Sequence, residues 1–120
     1  MKFVVKFDMI RSVSWIKSAR KAFEKFPALA CERILQALEI AAVGGKADIA
    51  KPLKGFESGV FEIALHHAGD AYRVVYAVGI GEDIWVVHAF QKKSKRGIAT
   101  PKEDLNLVRR RLKQLKDQLR

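Results

Sequence analysis

The chain has 120 residues, enough for one domain with a proper core, and its 49% apolar and 30% charged content is ordinary for a folded protein. Its net charge of +10 is not ordinary and points to an acidic partner: nucleic acid, an anionic membrane or an acidic protein. The single cysteine, Cys31, excludes an intramolecular disulfide and a multi-cysteine metal knuckle. No run approaches the roughly 18 apolar residues of a membrane span, and Lys2 and Lys6 break the amino-terminal run without a cleavage-site pattern, so the expected location is the cytoplasm.

Phe3, Val5 and Phe7 alternate with Lys2, Val4 and Lys6, which suits a first strand; Val13 to Ile16 is a second candidate, and either can pair into a sheet. Ile16, Ala19, Phe23 and Phe26 then recur at helical spacing, with Arg20, Lys21, Glu24 and Lys25 opposite and Ser14 or Ser18 as the cap. Pro27 punctuates. A second helix follows with the stripe Cys31, Ile34, Leu35, Leu38 and Ala42, stopped by Gly44 and Gly45; its apolar face suits Cys31 as a small buried residue.

Residues 46–57 read as a polar connection. Gly59 to His67 alternates as a strand, residues 67–70 form a tight hairpin turn, and Ala71 to Val78 is rich in β-formers. Ile84 to Phe90 is apolar throughout, as a central strand covered on both faces should be. Thr100, Pro101, Lys102 and Glu103 spell a capping box with proline at the first helical position. Leu105, Val108, Leu112, Leu115 and Leu119 make the seam of that last helix. The order β-α-α-β-β-β-α predicts one α+β domain over residues 1–120, a helical hairpin packed on a small, twisted, mainly antiparallel sheet with a basic carboxy-terminal helix.

The charge is concentrated. Residues 91–120 hold eleven Lys and Arg against three acids, which accounts for +8 of the +10. Lys92, Lys93, Lys95 and Arg96 follow directly on the strand ending at His88 and Phe90, so ordered elements hold them on either side. Gly79 and Gly81 sit in a hairpin turn and make no phosphate-cradling loop. The acids are scattered, and no two of His66, His67 and His88 lie at helical metal-ligand spacing. No metal and no cofactor are therefore expected.

What remains suits metal-free RNA cleavage. That reaction needs a base for the 2′-hydroxyl proton, an acid for the leaving 5′-oxygen, and cations against the charge that builds on phosphorus. Histidine suits the first two roles near neutral pH, and Arg and Lys suit the third. Arg73 stands mid-pattern in an apolar strand, where a cation needs a partner or an anion, and no acid is evident opposite it. His66 and His88 are the acid–base candidates. An antiparallel meander gathers residues 65–67, 71–73 and 88–92 toward one end of the sheet. Lys54 and the basic face of the last helix, including Arg109 and Lys113, would widen a phosphate-binding track together with Lys95 and Arg96.

Three motifs in order carry a family resemblance: Leu53 to Ile63 (LKGFESGVFEI), Asp70 to Tyr76 (DAYRVVY) and His88 to Pro101 (HAFQKKSKRGIATP). Across residues 13–115 the chain resembles the phage-derived, HigB-like branch of the RelE/ParE toxin superfamily, with residues 1–12 outside as an extension or an extra strand. The resemblance implies a toxin of a type II toxin–antitoxin module. RelE and HigB members are metal-independent endoribonucleases that cut mRNA, typically on the ribosome, and the implied partner is a helix-turn-helix, HigA-like antitoxin. Arg73 matches the family's phosphate-contacting catalytic arginine, Lys92 and Lys93 match its basic residues after the last strand, and Lys95 and Arg96 extend them. His66 stands near the place where relatives carry a basic residue on the preceding strand. The tyrosine that RelE-type members often carry near the carboxyl end is absent after Tyr76, so His66 or His88 would have to serve. ParE relatives share the fold but act on DNA gyrase, which leaves a gyrase inhibitor, or a module that only binds RNA or DNA, as alternatives.

Overall fold

The computed structural model describes residues 10–93 and 99–119, with Lys93 described by its backbone alone. Its five-stranded sheet has the order β1-β5-β4-β3-β2. β1 (Val13–Trp15) runs parallel to β5 (Asp83–Lys93), while β2 (Ala50–Pro52), β3 (Val60–His67) and β4 (Asp70–Ile80) complete it in antiparallel fashion. α1 (Lys17–Phe23) and α2 (Ala28–Ala42) cover one face and α3 (Lys102–Gln118) covers the other.

Burial on both faces explains why β4 and β5 are nearly unbroken apolar runs. Tyr72, Val74 and Tyr76 of β4 pack with Ala19 and Phe23 of α1 and with Ala30, Ile34 and Leu38 of α2. Val75 and Ala77 point the other way, onto Val108, Leu112 and Leu115 of α3. Each fully buried Val, Ile or Leu among them contributes on the order of 1.5–3 kcal/mol by leaving water. The small residues Ala30, Ala37 and Ala41 let α2 lie close to the sheet, and Leu35, expected on that stripe, is exposed instead. Leu119, at the end of the α3 seam, is exposed as well.

The strand candidate at residues 3–7 lies outside the described residues, and the candidate at Val13 forms β1. β2 is an added element inside the expected polar connection. Three residues ending in proline carry no readable period, and an edge strand is where proline is tolerated. β5 continues past Phe90 to Lys93, so Lys92 and Lys93 stand on the strand rather than in the following loop.

Neither expected cap forms. Ser14 Oγ donates to Asp83 Oδ2 at 2.5 Å, and the N-cap of α1 is Ile16, without a side-chain bond. The N-cap of α3 is Pro101, also without one, because the Thr100 hydroxyl is engaged elsewhere. The β3–β4 hairpin turns through Ala68 and Gly69, at φ +50° and +88°, the left-handed pair of a two-residue primed turn. Cys31 is half-buried, with its thiol against the Phe23 and Phe26 carbonyls, and burial followed by nearby Glu24 pushes its pKa up.

Candidate functional site

The register of β3, β4 and β5 sets out three cross-strand rows: His66–Ala71–Lys92, Ala64–Arg73–Phe90 and Glu62–Val75–His88. Alternation puts all three on the α3 face of the sheet. The Val75 row runs under α3, since Val75 packs on that helix. The His66 row lies toward the 67–70 hairpin, where His66 is exposed and Lys92 half-buried. The meander thus brings His66, Ala71 and Lys92 together at the hairpin end of the sheet, with Arg73 one row in, whereas His88 stands two rows away under α3.

Arg73 lies between these zones and is only 4% exposed. An acid does stand opposite it. Its Nη1 donates to Glu62 Oε1 at 3.2 Å and to Thr100 Oγ1 at 3.4 Å. Thr100 Oγ1 in turn donates to Glu62 Oε2 at 2.6 Å. One carboxylate therefore ties the buried guanidinium and the start of α3 into a triangle. Sequence alternation marks Glu62 as outward-facing, but its pairing with Arg73 is diagonal, from the Glu62–Val75 pair to the neighbouring Ala64–Arg73 pair, and follows only from the register.

His88 belongs to a second polar cluster. A bulge in β5 interrupts the ladder between the Val75–His88 and Tyr76–Val86 pairs and turns both Val87 and His88 toward α3. Arg111 Nη1 donates to the Val87 carbonyl at 2.8 Å and reaches His88 Nδ1 at 3.3 Å. Nδ1 therefore accepts, and Nε2–H donates to Asp104 Oδ1 at 2.7 Å. The ring also stacks on Phe90, with centroids 4.9 Å apart. Burial lowers the His88 pKa and outweighs Asp104, which raises it. Both ring nitrogens are thus engaged in pinning α3 to β5. Asp104 and Arg111 carried no distinguishing mark in the sequence beyond a spacing of seven, which places them on one helix face.

The remaining cations lie further out. Lys54, Arg109 and Lys113 are exposed. The Arg109 guanidinium covers the Phe56 ring at 4.7 Å, and Arg109 and Lys113 line one cleft with Gly55, Phe56 and Glu57. Lys116 bonds both Glu57 oxygens, at 2.5 and 2.6 Å, which joins the 53–59 turn to α3. Lys95 and Arg96 lie outside the described residues, and Lys93 pairs with Asp70 in the ladder. Among the described residues no three of His, Cys, Asp and Glu gather as a metal site would require, and no helix is long and apolar enough to cross a membrane.

This architecture resembles that of solved toxins. The isolated RelE toxin of E. coli matches with a TM-score of 0.56 at 20% identity, over 83% of this chain and 97% of that one. A double arginine-to-alanine mutant of E. coli RelE in the free state matches with a TM-score of 0.60 at 18% identity, over 88% and 98%. The fold is therefore RelE-like: three helices on a five-stranded mixed sheet. No curated protein matches the chain. The model of the family described as phage derived protein Gp49-like (DUF891) matches residues 21–113, and the chain belongs to that family.

Proposed function

We propose that the chain is the toxin of a type II toxin–antitoxin pair, a metal-independent endoribonuclease that cuts mRNA on the ribosome in the cytoplasm. The observation that carries this reading is the shared face of His66, Arg73 and Lys92 at one end of a RelE-like sheet. In the proposed reaction the 2′-oxygen attacks phosphorus and the bond to the 5′-oxygen breaks, giving a 2′,3′-cyclic phosphate and a 5′-hydroxyl end. His66 takes the 2′-hydroxyl proton or gives one to the leaving 5′-oxygen, with water making the other transfer, because the His88 nitrogens are committed to Asp104 and Arg111. Arg73 and Lys92, which share a face of the sheet, oppose the charge growing on the phosphorane. Lys54, Arg109 and Lys113, with Lys95 and Arg96, hold flanking phosphates. The partner is a helix-turn-helix antitoxin.

Induced expression, alone and with the neighbouring open reading frame, tests this reading. Growth arrest with cleaved mRNA, relieved by the neighbour, is the expected outcome. Intact mRNA with inhibited DNA supercoiling would move the chain to the gyrase-inhibiting class, and salt-sensitive RNA binding without arrest would leave a binding module only.

A further inference from the structure

Thr100 opens a capping-box sequence that the structure does not use. A capping residue at this place would accept the Glu103 backbone N–H, with the Glu103 carboxylate returning to the Thr100 N–H. Instead α3 begins one residue later than the motif allows, with Pro101 at the cap in extended conformation (ψ +148°) and no side-chain bond. The Thr100 hydroxyl faces Glu62 at 2.6 Å and stands 3.4 Å from Arg73 Nη1, over a guanidinium that is nearly sealed from solvent.

We propose that Thr100 is a two-position latch over Arg73. In the closed position, the one observed, its hydroxyl bonds Glu62 and covers the guanidinium. In the open position it caps α3, which lengthens by one residue at its start. Pro101 moves from the cap to the first helical position, where its φ of −60° already suits the helix. Two hydrogen bonds of the Thr100 hydroxyl, donated to Glu62 and accepted from Arg73, give way to the two of the capping box. Both closed bonds involve a charged partner, which keeps the resting chain closed. Opening takes the Thr100 hydroxyl off Arg73 Nη1, which stays paired with Glu62 and gains a side from which a phosphate group can approach. That consequence rests on the proposed reading of Arg73 as a phosphate-gripping residue, whereas the latch itself does not.

The experiment is labelling of the full chain with phenylglyoxal, an arginine-selective reagent, followed by mass spectrometry, with exposed Arg33 as the internal reference. Arg73 should label slowly in the wild type and about tenfold faster in Thr100→Val, which loses the charge-assisted bond. Thr100→Ser keeps the hydroxyl in both positions and should label at the wild-type rate. Glu103→Ala removes the reciprocal capping bond that only the open position makes and should slow Arg73 labelling about threefold. The last two variants keep the test valid if the valine variant misfolds. An Arg73 rate unchanged in Glu103→Ala overturns the latch, whatever Thr100→Val or the RNA assay gives. The expected labelling pattern in a wild-type chain that cleaves no RNA supports the latch and overturns the functional reading alone.

Discussion

Glu62 and Arg73 meet diagonally across the β3–β4 ladder, Oε1 to Nη1 at 3.2 Å, with side chains 12% and 5% exposed. A pair so far from water is held by geometry rather than by simple attraction, since taking both charges out of solvent costs about as much as their contact returns. Removing one member is the expensive change. Glu62→Ala should lower unfolding stability by about 3–5 kcal/mol in urea titration, because the Arg73 charge stays buried. A loss below about 1 kcal/mol would show that water reaches the guanidinium freely.

The β3–β4 turn offers a change in the opposite direction. Ala68 adopts φ +50°, a conformation that disfavours a β-carbon, beside Gly69 at +88°. Ala68→Asn creates the asparagine–glycine pair preferred by this turn and should stabilise the chain by about 0.5–1 kcal/mol. An equal or lower urea midpoint would contradict the turn assignment.

His88 should give stability a pH dependence with a definite sign. Burial depresses its folded pKa below the unfolded value of 6.5, against the pull of Asp104 and with Arg111 adding to the depression. Below pH 6.5 the unfolded chain binds this proton more readily than the folded chain does. Its contribution is therefore intact above that value and is lost as the pH falls from 6.5 toward the folded pKa. Comparing wild type and His88→Gln by urea titration from pH 7.5 to 5 should show the wild type losing more stability. Parallel curves would remove His88 as the source.

The outer cations bear on affinity rather than chemistry. Lys54 and Lys113 are exposed and lie away from the His66–Lys92 row, so substituting either with Ala should weaken RNA binding without altering cleavage position. Each lost phosphate contact should reduce the log–log salt slope by about 0.7 on single strands. An unchanged slope in both variants would remove the 54–57 turn and α3 from the RNA track.

The sheet and its helices were legible in the sequence because period-2 and period-3.6 patterns report which faces are buried, and β5 reads as two-sided because it is. β2 was not legible, since three edge residues hold no period. The gathering of His66, Arg73 and Lys92 followed from strand direction alone. Their exact company did not: the Glu62–Arg73 diagonal depends on register, and the bulge at Val87 shifts His88 onto Asp104 and Arg111. Thr100 misled for a physical reason. A capping motif states what a hydroxyl can do locally, and a buried carboxylate 38 positions away outbids the helix end.

The central claim is that Arg73 belongs to an RNA-cleaving site. Mapping of mRNA 5′ ends after induced expression tests it most directly, in wild type and in an Arg73→Ala variant verified as folded by circular dichroism. The account predicts new 5′-hydroxyl ends within coding regions for the wild type and a loss of about 100-fold or more for the variant, the scale of removing one charge-stabilising group from a reacting centre. Equal cleavage by the two chains would contradict it.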